Sequence, residues 1–338
     1  MKQQKILLTG VAGFIGYHVA RRILIENPNI RIIGIDNLNP YYAVELKQAR
    51  LRELQALPQA GNTENFQFLQ MDLADGAAVA NLFEQEKFDS VIHLAAQAGV
   101  RYSLQNPGAY IDSNITGFMS ILEGCRHHPV RHLVYASSSS VYGRNQKLPF
   151  STDDRVDHPV SLYAATKKSN EMMAECYAHL YKIPTTGLRF FTVYGPWGRP
   201  DLSYYKFTEA IYAGRPIDVY NFGDMRRDFT YIDDIVDGVI GVVPHIPDAR
   251  DGLSAPHIIY NIGNHHPEKL LDMIDILEDI IGIKATRNLM PMQPGDVYAT
   301  YADITPLQKL IGFAPKTRLK DGLAEFVKWY RRYHEIAE

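Results

Sequence analysis

Lys5-Ile-Leu-Leu-Thr9 is followed at once by Gly10-Val-Ala-Gly-Phe-Ile-Gly16. The first stretch has the apolar pattern of a short buried strand, and residues 17–26 continue with helical periodicity. Glycines between a strand and a helix allow a tight turn, and they let a pyrophosphate approach the backbone at the helix N-terminus. The stretch therefore predicts the opening unit of a dinucleotide-binding fold. Its expected cofactor contacts are Gly10, Gly13, Phe14, Ile15 and Gly16.

The second predicted strand, residues 31–35, ends in Asp36. A carboxylate at that strand end hydrogen-bonds the ribose 2′-hydroxyl of an adenine dinucleotide and repels a 2′-phosphate. Asn37 follows, and no arginine stands next to it. We therefore predict that the cofactor is NAD rather than NADP, with Asp36 and Asn37 at the ribose.

Strands and helices continue to alternate along the chain, with strands predicted at residues 66–70, 89–94, 133–136 and 185–191. This alternation predicts an α/β protein with a doubly wound parallel Rossmann sheet. We expect residues 1–185 to form this domain, with strands added from the second half, and residues 186–338 to form mainly a smaller C-terminal α/β lobe. Further cofactor contacts are expected at or near the strand ends, at Asp72, Leu73, Leu94, Ala95, Ala96 and Ser137. A helix is predicted from residue 106 to 125, and its Asn114 is expected to hold the serine or lysine region in place and to contact the cofactor. Tyr163 and Lys167 are expected to contact the cofactor as well.

Tyr163 and Lys167 are four residues apart in Tyr163-Ala-Ala-Thr-Lys167, so on a helix they share one face. An ammonium beside a phenol favours the phenolate and lowers its pKa, which predicts a general base near neutral pH. The serine run from Ser137 to Ser140 stands at the end of the fifth predicted strand, where ligands bind in doubly wound sheets. An isolated Tyr-x-x-x-Lys pair is usually a solvated helix face, so the interpretation depends on the surrounding fold.

The composition is that of an ordinary globular protein, with 46% hydrophobic and 22% charged residues and a net charge of −3. The absence of a basic tract argues against nucleic acid and against an anionic membrane surface as partners. No apolar run is long enough to span a bilayer, and the N-terminal residues have no signal-peptide pattern, so we expect a cytoplasmic protein. Cys125 and Cys176 are expected to be buried free thiols. No Cys/His cluster has the spacing of a metal site.

Several motifs resemble the extended short-chain dehydrogenase/reductase superfamily, in its nucleotide-sugar branch. Within that branch the chain is most similar to the bacterial UDP-glucuronate 4-epimerases. The resemblance covers nearly the whole chain and is carried by the glycine turn, Tyr163–Lys167, Asn39-P-Y-Y-A-V-E-L-K-Q-A-R-Leu51, Leu94-A-A-Q-A-G-V-R-Tyr102, Tyr135-A-S-S-S-S-V-Y-Gly143, Leu188-R-F-F-T-V-Y-G-P-W-G-R-P-Asp201, Arg227-D-F-T-Y-I-D-Asp234 and Pro291-M-Q-P-G-Asp296. It implies that the C-terminal lobe binds the nucleotide-sugar. It also implies a homodimer built through a four-helix interface.

The resemblance assigns Ser138, Tyr163 and Lys167 as the catalytic residues. Ser139 and Ser140 stand where sugar 4,6-dehydratases carry Asp and Glu, and UDP-glucuronate decarboxylases tend to carry Glu at position 140. Hydroxyl groups replace those acids poorly, so both of these reactions are disfavoured.

For the substrate, the resemblance implies that Arg227 and Asp296 bind the diphosphate and ribose. Tyr220 and its neighbours, such as Val219, cradle the uracil. Thr192 and Gln293 depart from the Asn and Arg that are typical of UDP-galactose-type epimerases. Arg199 is the candidate partner of a substrate carboxylate, since a guanidinium matches carboxylate geometry; the alternative is a surface salt bridge. Further substrate contacts are expected at Arg101, Ser139 and Ser140.

The resulting hypothesis is NAD-dependent C4 epimerisation of UDP-glucuronate to UDP-galacturonate through a 4-keto intermediate, in the synthesis of surface polysaccharide precursors. One rival is a UDP-hexose or UDP-N-acetylhexosamine 4-epimerase. A rival from another class is a non-catalytic NAD-binding sensor or scaffold, which the intact Ser138, Tyr163 and Lys167 set disfavours.

Overall fold

A parallel β-sheet forms the centre of the molecule in the computed structural model, which describes residues 3–27, 29–57, 65–249, 254–293 and 296–337. Its strands are β1 (Gln4–Thr9), β2 (Ile30–Asp36), β3 (Phe66–Gln70), β4 (Ser90–His93), β5 (His132–Ser138), β6 (Thr185–Phe190) and β10 (His257–Ile262). They lie in the order β10-β6-β5-β4-β1-β2-β3, and each neighbouring pair is parallel. The predicted α/β class with a doubly wound Rossmann sheet is confirmed.

Helices cover both faces of this sheet, so alternate residues of its strands enter different cores. Leu8 packs with the helices on one face, and its neighbour Leu7 packs with those on the other. A parallel sheet that is buried on both faces needs nearly continuous apolar strands, which explains the pattern of residues 5–9. The helices are α1 (Phe14–Glu26), α2 (Val44–Gln55), α3 (Gly76–Glu86), α4 (Tyr102–Gln105), α5 (Pro107–Tyr110), α6 (Gly117–His127), α7 (Leu162–Tyr181), α8 (Ser203–Tyr212), α9 (Ile232–Val242), α10 (Leu270–Ile281), α11 (Thr305–Ile311) and α12 (Leu319–Tyr333).

The C-terminal lobe has two small sheets of its own. One contains β7 (Thr192–Tyr194), β9 (Arg226–Tyr231) and β11 (Pro267–Lys269), and the other pairs β8 (Ile217–Val219) with β12 (Arg287–Leu289). The second half of the chain also supplies β6 and β10 to the central sheet. The two halves therefore share a sheet, and the division at residue 185 stays a prediction.

Two local expectations differ from the structure. Residues 106–125 do not form one regular α-helix, because a π-helical segment, Ile111–Thr116, separates α5 from α6. Cys125 is buried as expected, but Cys176 is exposed on α7. Across the described ranges, no helix is long and apolar enough to cross a membrane.

Candidate active site

A cavity of about 950 Å³ lies at the carboxyl ends of the central strands and extends over the C-terminal lobe. Parallel strands bring their carboxyl ends to one edge of the sheet, which is why residues far apart in the sequence meet here. Most of the predicted site residues line this cavity: Gly10, Gly13, Phe14, Ile15, Gly16, Asp36, Asn37, Leu73, Leu94, Ala95, Ala96, Arg101, Ser137, Ser138, Ser139, Ser140, Tyr163, Lys167, Thr192, Arg199, Tyr220, Arg227 and Asp296.

Four predicted residues do not line the cavity: Asp72, Asn114, Val219 and Gln293. Asp72 is exposed and accepts a hydrogen bond from the Asn37 amide at 3.0 Å. Asn114 is buried and donates to the Thr166 hydroxyl at 3.0 Å, so it ties the π-helical segment to α7. Of the motif at residues 291–296, positions 294 and 295 lie outside the described residues.

The glycine turn has the shape that a dinucleotide requires. Gly10 has φ +71°, and a Cβ placed on it would lie 2.8 Å from the backbone nitrogen of Ala95. The α1 helix begins at Phe14 with neither a side-chain cap nor an acid in its first turn, so no acid of the helix itself neutralises its positive end. A pyrophosphate fits at this helix end.

Asp36 completes the fit at the end of β2. Its carboxylate accepts a hydrogen bond from the backbone of Leu38 at 2.9 Å. Burial raises the pKa of Asp36, and the ammonium of Lys47 opposes that rise. A partly buried carboxylate at the cavity wall suits a ribose diol, so these residues fit NAD.

Ser138 and Tyr163 both line the cavity. Ser138 is the last residue of β5, where its hydroxyl accepts a hydrogen bond from the Ser140 amide at 3.2 Å. Tyr163 lies in the first turn of α7, which Ser161 caps. Burial raises the pKa of the Tyr163 phenol, while a hydrogen bond with Ser138 and the nearby Arg199 charge lower it. The geometry therefore places a serine hydroxyl and an arginine where they stabilise a phenolate.

The Lys167 ammonium lies at the backbone of β5, where it donates to the Ala136 carbonyl at 2.9 Å. Burial lowers the pKa of Lys167 to about 8, and Glu171 opposes this shift. Desolvation of the Tyr163 phenol raises its pKa and outweighs the charges around it. The lowering of the Tyr163 pKa by Lys167 stays a prediction.

Behind Lys167 lies an ion pair that sequence reasoning missed. Glu171 accepts two hydrogen bonds from the Arg189 guanidinium, at 2.8 and 3.0 Å, and a third from the Ser137 hydroxyl at 2.7 Å. The two charged side chains are only 1% and 3% exposed. Glu171 lies one helical turn after Lys167, so the spacing Tyr163-x3-Lys167-x3-Glu171 was a usable signal, whereas the Arg189 partner on β6 required the fold.

The loop after β7 carries a second ion pair on the cavity wall. Arg199 donates to both carboxylate oxygens of Asp201, from Nε at 2.9 Å and from Nη2 at 2.6 Å. The Tyr41 hydroxyl donates to the same carboxylate at 3.2 Å. Because Asp201 already pairs with Arg199, the arginine does not require a counter-ion from outside the protein. Neither Asp201 nor Tyr41 was predicted as a site residue from the sequence. The position of Tyr41 inside the segment from Asn39 to Leu51 was the available signal.

A third charged group lies at the other end of the cavity. Arg227 donates to the Asp296 carboxylate at 2.8 Å, and Arg101 lies 3.6 Å from the other oxygen of the same carboxylate. The Arg101 guanidinium also lies 4.8 Å from the ring centre of Tyr220. Two cations and an aromatic ring at one end suit a phosphorylated nucleotide.

The chain is similar to known NAD-dependent epimerases over nearly its full length. Residues 6–263 match the model of the NAD dependent epimerase/dehydratase family. Protein CapI of Staphylococcus aureus is 50% identical, with 98% of this chain and 99% of that protein covered. A probable UDP-glucuronate 4-epimerase of Rhizobium meliloti is 46% identical, with 98% of each covered.

A solved structure leads to the same family. The UDP-glucuronic acid 4-epimerase of Bacillus cereus, in complex with UDP-glucuronic acid and NAD, superposes with a TM-score of 0.88 at 32% identity. The superposition covers 98% of this chain and all of that one. These comparisons confirm the resemblance that the motifs predicted, together with the Rossmann fold and NAD as the cofactor of the family.

Proposed function

The chain belongs to the NAD dependent epimerase/dehydratase family, and we propose that it catalyses the C4 epimerisation of UDP-glucuronate to UDP-galacturonate. One observation carries the proposal: a single cavity holds Ser138 and Tyr163 beside the glycine turn and also contains the arginine of the Arg199–Asp201 pair. The first group suits C4 oxidation, and the arginine suits a sugar carboxylate. The names of the relatives from Rhizobium meliloti and Bacillus cereus support the same substrate.

The cofactor end of the cavity is assigned to the glycine turn and Asp36. The α1 N-terminus takes the pyrophosphate and Asp36 takes the ribose diol. Bound NAD supplies a reversible hydride acceptor for C4 of the sugar. The small side chains of Ala95 and Ala96 leave room beside the end of β4.

Tyr163 is the proposed base that takes the O4 proton, and Ser138 positions that oxygen. When the proton leaves O4 for the Tyr163 oxygen, C4 loses its hydride and becomes a ketone. The ketone then presents its other face, C4 regains a hydride on that face, and the proton returns from Tyr163 to O4. Lys167 donates to the Ala136 carbonyl behind the reacting groups. At pH values below its pKa of about 8, it is positively charged there.

The substrate end is assigned to three sets of residues. Arg227 and Arg101 face the diphosphate, with Asp296 between them, and Tyr220 lies beside the base. The carboxylate is assigned to Arg199, with Thr192, Ser139 and Ser140 as hydroxyl donors on the same cavity wall. Val219 and Gln293 stay predictions, since neither lines the cavity.

The proposal is tested by an NMR time course of UDP-glucuronate with the purified protein and no added cofactor. UDP-galacturonate is expected without release of CO₂. A pentose product would indicate a decarboxylase, and no reaction of UDP-glucuronate with turnover of UDP-glucose or its N-acetyl analogue would indicate the neutral-sugar rival. Tyr163→Phe is expected to lower kcat at least 100-fold, since general base catalysis contributes about 10²–10⁴-fold. Near-normal turnover of this variant would overturn the assignment of the base.

We also propose that the protein is a homodimer that supplies a precursor of surface polysaccharide. Large apolar side chains are exposed on the predicted interface helices: Met119 on α6, and Met172, Leu180 and Tyr181 on α7. Such a patch on two neighbouring helices suits a second copy of the same pair. Light scattering of the wild type and of Met172→Glu/Leu180→Glu tests this, with the dimer mass expected only for the wild type.

A further inference from the structure

We propose that Asp201 and Tyr41 are positioning residues that hold Arg199 in one fixed orientation and thereby determine both the recognition of the sugar carboxylate and its survival during the reaction. The inference rests on the proposed function, because it concerns the end of the site assigned to the carboxylate. Neither residue is assigned the transfer of a proton or a hydride at C4.

The hydrogen bonds between Arg199 and Asp201 leave one nitrogen of the Arg199 guanidinium as a donor in a fixed orientation. Nε and Nη2 both donate to Asp201, at 2.9 and 2.6 Å, so the plane of the guanidinium is set by two parallel hydrogen bonds. Among the described residues, Nη1 has no hydrogen-bond acceptor. Arg199 lines the cavity, so Nη1 is the nitrogen available to a ligand.

Tyr41 holds Asp201 through a direct hydrogen bond. Its hydroxyl donates to the Asp201 oxygen that also receives Nη2 of Arg199. The Tyr41 ring is itself held, since it packs 4.7 Å from the ring centre of Tyr102. Its hydroxyl also lies so close to Gly99 that a Cβ there would overlap it. The segment from Asn39 to Leu51 therefore reaches Asp201 through this hydroxyl, and its Arg50 donates to the Trp197 and Gly198 carbonyls of the same loop.

The charge balance of this group explains why a paired arginine is useful. A lone guanidinium on the cavity wall would bind any anion strongly and in several orientations. Asp201 offsets most of that charge, so only a ligand that aligns with the remaining N–H groups gains a strong hydrogen bond. The pair thus selects by geometry rather than by charge alone.

Orientation matters because the ketone formed at C4 makes the uronate a β-keto acid. Loss of CO₂ would break the C5–C6 bond and pass its electron pair into an enolate over C4 and C5. That step is favoured when the C5–C6 bond is perpendicular to the plane of the C4 carbonyl. A carboxylate that is held by a fixed arginine does not reach this orientation freely, and it keeps its negative charge on oxygen.

The test compares Asp201→Asn and Tyr41→Phe with a matched control. Asp321 on α12 also receives two hydrogen bonds from an arginine, Arg318, but this pair is exposed and away from the cavity. Asp321→Asn removes the same carboxylate chemistry and is expected to leave activity unchanged. Retained NAD and the melting temperature report whether each variant is folded.

For Asp201→Asn we expect the KM for UDP-glucuronate to rise about 10-fold to 100-fold, since the loss of a well-aligned hydrogen bond to a charged group costs about that much in binding. We expect kcat to change less than about threefold, and the share of pentose product and CO₂ to increase. Tyr41→Phe is expected to change the same quantities in the same direction by about threefold. Wild-type KM and product ratio in both variants would overturn the proposal.

A binding experiment separates this inference from the proposed function. The ratio of the Kd values for UDP-glucose and UDP-glucuronate is measured by calorimetry for wild type and for Asp201→Asn. The variant is expected to lose about 10-fold in preference for the uronate, whichever sugar the enzyme turns over. An unchanged ratio would contradict the inference, whereas failure of the wild type to convert UDP-glucuronate would contradict only the proposed function.

Discussion

Two arginine–carboxylate pairs of the same chemistry lie near the catalytic residues, one acting on Lys167 and the other on Tyr163. Arg189 and Glu171 join β6 to α7, and their side chains are 3% and 1% exposed. Arg199 and Asp201 lie within one loop, and their side chains are 24% and 20% exposed. Both arginines donate through Nε and Nη2 to two carboxylate oxygens.

The difference between them is access to the cavity. Neither member of the Arg189–Glu171 pair lines it, whereas both Arg199 and Asp201 do. A pair that does not line the cavity cannot bind a ligand there, so its charges act on folding and on neighbouring titrating groups. A pair with one face open to the cavity keeps hydrogen-bonding capacity for a ligand. The same two side-chain types thus support the scaffold in one place and recognition in the other.

The largest effect is expected when the Arg189–Glu171 pair is broken. Glu171→Gln leaves the Arg189 guanidinium buried without a counter-charge, and we expect the free energy of unfolding to fall by about 3–5 kcal/mol. Denaturant unfolding measures this loss. Glu171→Gln/Arg189→Met removes both charges and is expected to recover most of it. Equal losses in the single and double variants would show that the charges are not the cause.

Breaking the pair on the cavity wall is expected to affect catalysis more than stability. For Arg199→Met we expect kcat/KM for UDP-glucuronate to fall by about 30-fold to 1,000-fold, which corresponds to about 2–4 kcal/mol for a truncated charge partner. The free energy of unfolding should change by about 1 kcal/mol, because Asp201 keeps contact with solvent. Should denaturant unfolding show a loss as large as that of Glu171→Gln, the two pairs would not differ as described.

The smallest effect concerns the pH dependence that the Arg189–Glu171 pair imposes on Lys167. Its pKa lies near 8, lowered by burial and partly restored by Glu171. As the pH rises through this value Lys167 loses its charge, so kcat/KM is expected to fall above pH 8. In Glu171→Gln/Arg189→Met the restoring charge is gone, and the falling limb of the pH profile should move to lower pH.

A matched variant checks that assignment. Lys167→Arg keeps its charge at every accessible pH, so the falling limb near pH 8 should disappear even if activity is reduced. Persistence of the limb in this variant would assign it to another group.

The parts of the site that the sequence predicted are those that depend on local patterns. The glycine turn and the four-residue spacing of Tyr163 and Lys167 are written in consecutive residues, and the strand-end position of Asp36 follows from a short apolar run. Both arginine pairs went unrecognised as pairs. Arg189 contacts Glu171 because the fold places β6 beside β5. Tyr41 contacts Asp201 because the fold brings together residues that are far apart in the sequence.

Features that depend on local environment could not be predicted from the sequence either. The Lys167 ammonium is directed at the Ala136 carbonyl, and burial raises the Tyr163 pKa, because desolvation is a property of the folded core. Cys176 lies on the outer face of α7, which periodicity alone did not identify. Asn114 connects the π-helical segment to α7, in keeping with its expected supporting role, but it does not line the cavity.

The most direct test of C4 epimerisation is the fate of hydrogen at that carbon. UDP-glucuronate carrying deuterium at C4 is turned over in ordinary water, and the product is examined by NMR and mass spectrometry. If hydride leaves C4 and returns to it within one closed site, UDP-galacturonate will retain the deuterium at C4. A product with protium at C4 would show exchange with solvent and would contradict the proposed chemistry.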